Sequence, residues 1–308
     1  MKISPIIYPE QTSFKSSERT RYYNKATGEY LRPYYSVFED YISFMDGINP
    51  NYNCVRIVNS NKTNFFRGDI TGYFGAGWNE FAKYLDEEFK GKVNVYDFGC
   101  SDGSEAYSLI ISLIENLGEE SAKRFLPVYA YDIDPYIIRS ARTGKIKCDG
   151  DDMKKINEHT NNNPDKYFTV LAHNKKTDTY TLEVKPVLRD NVIFNTGDIS
   201  RKIEDVEGSN SLILCRNFWR YMSQEQIFQT VKKMKDTLDF SSRITIGDFD
   251  MYNEGLCAIP DFFEAAGFYS PKFNIIAKEK DPKILSRFKN DEEYLQYLYN
   301  RCYYNEDD

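Results

Sequence analysis

The sequence predicts an α/β fold: a parallel-dominated sheet with helices on both faces and a small antiparallel insertion. Three observations predict it. From residue 93 onward, apolar runs of strand length alternate with amphipathic stretches of helix length. The first run enters a glycine-bearing turn, Asp97-Phe98-Gly99-Cys100-Ser101-Asp102-Gly103, immediately before a helical segment. The rhythm breaks at residues 168–184, where two alternating runs flank Asn174-Lys175-Lys176-Thr177-Asp178 in a hairpin pattern.

The elements follow in order. Residues 12–35 carry five basic and two acidic side chains and five tyrosines, so they read as a solvated surface segment, with a docking patch for an acidic partner as the alternative. After Pro33 an amphipathic helix presents Val37, Phe38, Tyr41, Ile42 and Met45, and Gly47 and Pro50 end it. A second helix follows Gly77, with Trp78, Phe81, Ala82 and Leu85 on one face. Then come a strand at 93–99, a helix from Ser104 closed by Gly118, a strand at 128–134 and a helix opened by Pro135. The later strands lie at 192–198, 211–217 and 243–249, with a helix over 223–238 between the last two. Strands separated by helices imply right-handed crossovers and parallel pairing. A last strand at 273–280 closes the sheet as its antiparallel member. The expected organisation is an N-terminal helical or irregular region at 1–68, a main domain at 69–280 with a β-hairpin subdomain inserted at 150–190, and a C-terminal helix with an acidic tail at 281–308.

Composition excludes several classes. The net charge of −7 and pI of 5.2 argue against binding driven by nucleic-acid phosphate, which needs a basic footprint. With only His159 and His173, a histidine-rich metal site is excluded, and no metal is expected. The six cysteines are at least 42 residues apart, so no CxxC pair exists, and they read as buried free thiols of a reducing compartment. No stretch approaches the roughly 18 apolar residues of a membrane span, and the protein is expected to be cytoplasmic.

The chemistry concentrates at the first two strand ends. A turn of the form D-x-G-x-x-x-G lacks the dinucleotide glycine pattern and has no basic residue to cradle phosphates. Asp132 ends the second strand, 29 residues beyond Gly103, where an acid accepts hydrogen bonds from ribose hydroxyls. Asp132-Ile133-Asp134-Pro135 can also be read as the cap of the next helix, and the glycines as a purely structural turn. Taken together, the turn and the acid point to adenosine at the sheet's carboxyl edge. An acidic wall suits a cofactor with a free ribose and a cationic centre, so S-adenosylmethionine (SAM) fits better than NAD.

Four blocks then carry a specific resemblance. They are Asn61-Lys62-Thr63-Asn64-Phe65-Phe66-Arg67; Cys100 to Ser108 (CSDGSEAYS); Tyr129-Ala130-Tyr131-Asp132-Ile133-Asp134; and Cys215-Arg216-Asn217-Phe218-Trp219-Arg220-Tyr221. In this order, across residues 55–250, the chain resembles the CheR-type chemotaxis-receptor glutamate methyltransferases. The resemblance implies a class I, Rossmann-like SAM-dependent methyltransferase that O-methylates glutamate on a partner protein and releases S-adenosylhomocysteine. It implies that Asn61, Thr63, Arg67 and the Gly99 turn line the cofactor pocket. Glu105 and Asp132 would hold the cofactor's amino-acid end and ribose, and Asp198 and Ile199 would flank the adenine. Arg216 and Asn217 would complete the site, with Arg67 and Tyr221 nearest the acceptor. It also places the hairpin insertion where the family carries its receptor-tethering subdomain. Removing 168–184 is therefore expected to weaken partner capture and spare cofactor affinity. Phe65 and Phe66 read as packing residues.

The chain departs from the family at Ser104 and Ala106, at Arg220 and Met222, and at Gly247-Asp248-Phe249-Asp250, where the resemblance suggests G-H-S-E. These departures leave two alternatives: a SAM methyltransferase with another acceptor, and a non-catalytic binding protein of the same fold.

Overall fold

The computed structural model describes residues 22–24, 29–31, 64–70, 77–219, 222, 224–250, 258–272 and 274–281, and the single positions 283, 290, 293 and 297. The chain divides into two compact units, Met1–Arg56 and Ile57–Asp308. In the first, β1 (Tyr22–Asn24) pairs antiparallel with β2 (Glu29–Leu31), Tyr23 opposite Tyr30. This short ribbon lies within the segment read as solvated surface. The helix expected after Pro33 and most of the C-terminal helix with its acidic tail lie outside the described residues.

The second unit opens with α1 (Trp78–Glu88), whose apolar face buries Trp78, Phe81, Ala82 and Leu85 as the spacing predicts. Then follow β3 (Asn94–Phe98), α2 (Ser104–Leu117), β4 (Val128–Asp132), α3 (Pro135–Ala141), β5 (Lys145–Asp149) and α4 (Gly150–His159). After them come β6 (Phe168–Asn174), β7 (Thr179–Val184), β8 (Val192–Thr196) and β9 (Ser211–Cys215). The last elements are α5 (Gln224–Thr237), β10 (Arg243–Thr245), α6 (Ile259–Ala265), β11 (Phe268–Lys272) and β12 (Ile275–Lys278).

Seven strands form the main sheet in the order β11-β12-β10-β9-β3-β4-β8. The five from β10 to β8 are parallel, and β12 enters antiparallel between β10 and β11. The centre is apolar on both faces, as a covered parallel sheet requires: every residue of β9 is buried. Strand order runs outward from β3 to β8, then returns to β9 on the other side of β3. The switch point thus falls between β3 and β9, where open α/β sheets form their crevice at the carboxyl ends.

The insertion is larger than a hairpin. β5, β7 and β6 make a three-stranded antiparallel sheet, and α4 packs beside it. The polar stretch from Asn157 reads as a loop, yet α4 runs to His159 before Asn161 and Asn162 turn the chain at positive φ. α4 buries little besides Asp152 and Ile156, so its sequence shows only a thin apolar stripe. β11 carries Pro271, which an edge strand tolerates. Ile146, Cys148, Ile156, Leu182 and Val184 of the insertion join one core with Leu109, Ile110 and Leu113 of α2.

Candidate active site

The turn after β3 is shaped by hydrogen bonds to the neighbouring strand. Gly99 and Cys100 both donate their amides to the Tyr131 carbonyl, at 2.8 and 3.0 Å. Ser101 adopts φ 51°, and its amide donates to Asp132 Oδ2 at 2.9 Å. A Cβ at Gly99 would meet the Phe218 ring at 2.9 Å, and one at Gly103, φ 91°, would meet Phe194 at 2.6 Å. Both residues are thus required by left-handed backbone and by aromatic packing.

Asp132 and Asp134 divide the two duties that the Asp132-Ile133-Asp134-Pro135 run suggested. Asp134 caps α3 by accepting the Tyr136 amide at 2.8 Å, with Pro135 in the first turn. Asp132 accepts from Ser101 and, at 2.9 Å, from the Asp134 amide. Burial pushes its carboxyl up to about 6.

Beneath the turn lies an acid absent from the sequence-predicted site. Asp97, on β3, is 1% exposed, and neither carboxylate oxygen has a hydrogen-bond partner among the described residues. Burial raises its carboxyl well above the ordinary range, and the Glu105 charge adds to that. It is the first residue of the D-x-G-x-x-x-G turn, which is its one sequence signal. Glu105 Oε2 accepts from Arg216 Nη1 at 2.8 Å across the switch point, both side chains being buried. The Arg216 guanidinium also lies 5.6 Å from the Trp78 ring centre, and Trp78 Nε1 donates to the Arg67 carbonyl at 2.9 Å. The structure therefore brings Glu105, Arg216 and Arg67's backbone into one connected cluster.

Asn217 follows Arg216 at φ 65°. Its amide donates to Asp250 Oδ2 at 2.7 Å, and the Gly247 amide donates to the same oxygen at 2.8 Å. The acid at the fourth position of Gly247-Asp248-Phe249-Asp250 thus ties the ends of β9 and β10 together. Asp198 caps the helical turn Ile199–Lys202, accepting the Ser200 amide at 2.9 Å and its hydroxyl at 2.7 Å. Ile199 is buried, and the preceding Gly197 amide donates to the Asp132 carbonyl at 2.9 Å, which sets this turn beside β4's end. Asn61, Thr63 and Tyr221 lie outside the described residues. Phe65 and Phe66 are buried packing residues, as expected. Cys100, Cys148 and Cys215 are buried free thiols.

The donor set can be tested against SAM. Asp97 lies within electrostatic reach of Glu105, Asp132 and the buried Arg216 cation that Glu105 pairs, and Asp97 has no hydrogen-bond partner among the described residues. Such a site suits a ligand with an ammonium, a sulfonium and free ribose hydroxyls, and the residues fit. A glycine turn after the first parallel strand, an acid at the end of the second and a switch point between β3 and β9 define a class I SAM-dependent methyltransferase.

Comparison with known proteins narrows this class. Residues 61–266 match the family described as CheR methyltransferase, SAM binding domain, and the chain belongs to that family. A chemotaxis protein methyltransferase of Listeria innocua is 28% identical over 183 residues, 58% of this chain and 63% of that protein. One from Listeria monocytogenes is 25% identical over 214 residues, 68% of this chain and 74% of that protein. The chain thus spans less than two thirds of the Listeria innocua relative. Among solved structures, a TehB-like SAM-dependent methyltransferase from Corynebacterium glutamicum aligns at 13% identity and a TM-score of 0.32, over 65% of this chain and 86% of that one. The fold class rests on the strand order itself.

Proposed function

We propose that this chain O-methylates glutamate side chains on a partner protein, the cytoplasmic region of a chemoreceptor being the substrate that the family and its chemotaxis relatives favour. The observation that carries the reading is that Trp78 links the Arg67 backbone, to which its Nε1 donates, with the Glu105–Arg216 pair, whose guanidinium lies over its ring. When bound, SAM supplies an electrophilic methyl group on a sulfonium and leaves as S-adenosylhomocysteine. Asp132 would accept from the ribose, and Asp97 and Glu105 would face the amino-acid end. Arg67 and Tyr221 would orient the acceptor carboxylate, with Arg67 donating a charge-assisted hydrogen bond to one oxygen and leaving the other free to attack. A carboxylate loses no proton on methylation, so these residues need only position it, and no general base is called for. The exposed β6 strand of the inserted sheet offers a docking edge for the partner. No described helix is long and apolar enough to cross a membrane, and a cytoplasmic location belongs to the proposal.

The test is incubation with methyl-labelled SAM and chemoreceptor-bearing membranes. The expected product is base-labile label on the receptor, released as methanol. Arg67→Ala should keep SAM affinity within about twofold and lose turnover by at least tenfold, the loss of one charged hydrogen bond. Absence of base-labile label from a wild-type protein that binds SAM would overturn the glutamate reading.

A further inference from the structure

The residues that hold the Phe65-Phe66-Arg67 segment come from unexpected parts of the chain. Phe65's amide donates to Asp152 Oδ1 at 3.0 Å, across 87 residues of sequence. Its ring meets Phe168, the first residue of β6, edge-on at 5.4 Å. Phe66 occupies the left-handed region at φ 49°, a strained setting for a bulky residue. Its amide donates to Ser108 Oγ at 2.9 Å, and that hydroxyl in turn donates to the Ser104 carbonyl at 2.7 Å. Its ring stacks on His159 at 4.0 Å and meets Trp78 edge-on at 5.9 Å. Arg67 then gives its carbonyl to Trp78, whose ring faces Arg216.

Three of these anchors, Asp152, His159 and Phe168, belong to the insertion. We propose that the inserted subdomain, besides any docking role, forms a wall of the methyl-transfer site, and that Asp152 is the positioning residue that holds the Arg67-bearing segment in place. Asp152 is 4% exposed in the first turn of α4. Its own amide donates to Asp149 Oδ1 at 3.0 Å, which fixes Asp152 at the start of α4 while its Oδ1 accepts from Phe65. The strained Phe66 conformation persists only while both sides are pinned. Losing the Asp152 bond would release Arg67 and, through Trp78, the ring that faces Arg216 beside the cofactor turn. The proposal rests on Arg67 belonging to the site.

The experiment uses the whole chain with SAM alone. Three variants are compared by hydrogen exchange of the peptide holding residues 64–67, by calorimetric SAM affinity and by thermal midpoint. Asp152→Ala should deprotect that peptide and weaken SAM affinity about tenfold, the scale of one lost hydrogen bond to a charged acceptor. Asp152→Asn keeps an acceptor oxygen and should retain both properties within about twofold. Ile156→Val, on the same helix, lowers the midpoint through packing and should leave SAM affinity unchanged. The inference is overturned if Asp152→Ala leaves the peptide protected, if it binds SAM like wild type, or if Ile156→Val weakens SAM to the same degree. A wild-type protein that binds SAM but labels no receptor glutamate would sink the substrate reading alone and leave this inference standing.

Discussion

Asp132 shows how a single carboxyl can shape a loop while burial shifts its own protonation. It holds the Ser101 and Asp134 amides, and burial raises it to about 6. With its folded value above the ordinary 3.8, the cofactor-free fold binds more protons than the unfolded chain across roughly pH 4 to 6. The stability this group contributes therefore falls as pH rises through that window and levels off above it. Ribose hydroxyls donating to the carboxylate favour its charged form. SAM binding should thus release protons near pH 6, and affinity should climb from pH 5 to 7 before flattening. Calorimetry at pH 6 in buffers of different ionisation enthalpy reads the proton count, and a count of zero would refute the assignment. Asp132→Asn should remove most of the pH dependence and cost at least tenfold in affinity, the scale of one lost charged hydrogen bond.

At the scale of elements, α2 begins and ends on positive-φ glycines, Gly103 left-handed and Gly118 extended, that differ in their surroundings. A Cβ added at Gly118, φ 79°, would have open space for 4 Å around it, whereas one at Gly103 would strike Phe194 and Tyr107. Gly118, at ψ 159°, lies in a positive-φ extended region that only glycine populates readily, so Gly118→Ala should cost about 2 kcal/mol from backbone strain alone. Gly103→Ala should cost about 3 kcal/mol, strain plus overpacking. Urea denaturation of the two variants checks this, and a loss of only about 1 kcal/mol for Gly103→Ala would show that Phe194 yields freely. These glycines, like the parallel strands and the helices between them, are legible in the sequence because apolar runs and turn chemistry are local signals. β5, α4 and β11 are not: each is short, largely polar or interrupted by proline, and takes its form from the sheet or core it joins. The same division holds within the site. Asp132 stands at a readable spacing from the glycine turn, and Glu105 is reached through the family resemblance. The meeting of Asp152 with Phe65, of Trp78 with Arg67 and of Asp250 with Asn217 joins distant segments that no local pattern connects.

Across the whole molecule, the packing of the insertion revises what its removal should do. Deleting 168–184 reads from sequence as the loss of a docking device alone. The structure places Phe168, Leu182 and Val184 in the common core, and Phe168 against Phe65. Only the outer part of the hairpin, from Thr169 to Asp178, is exposed throughout. Two deletions should therefore part company. Replacing residues 171–178 with a two-residue turn should keep the thermal midpoint within a few degrees and SAM affinity within about twofold, because surface loop changes of this size are tolerated. It should also weaken receptor capture. Removing 168–184 entirely strips buried aromatic and aliphatic side chains worth on the order of 2 to 5 kcal/mol each, so SAM binding should fail together with folding. Thermal unfolding with and without SAM, run beside receptor pull-down, separates the two. If the full deletion keeps wild-type SAM affinity, the insertion is an appendage and no wall of the site. If the short deletion leaves capture intact, the partner docks elsewhere on the chain.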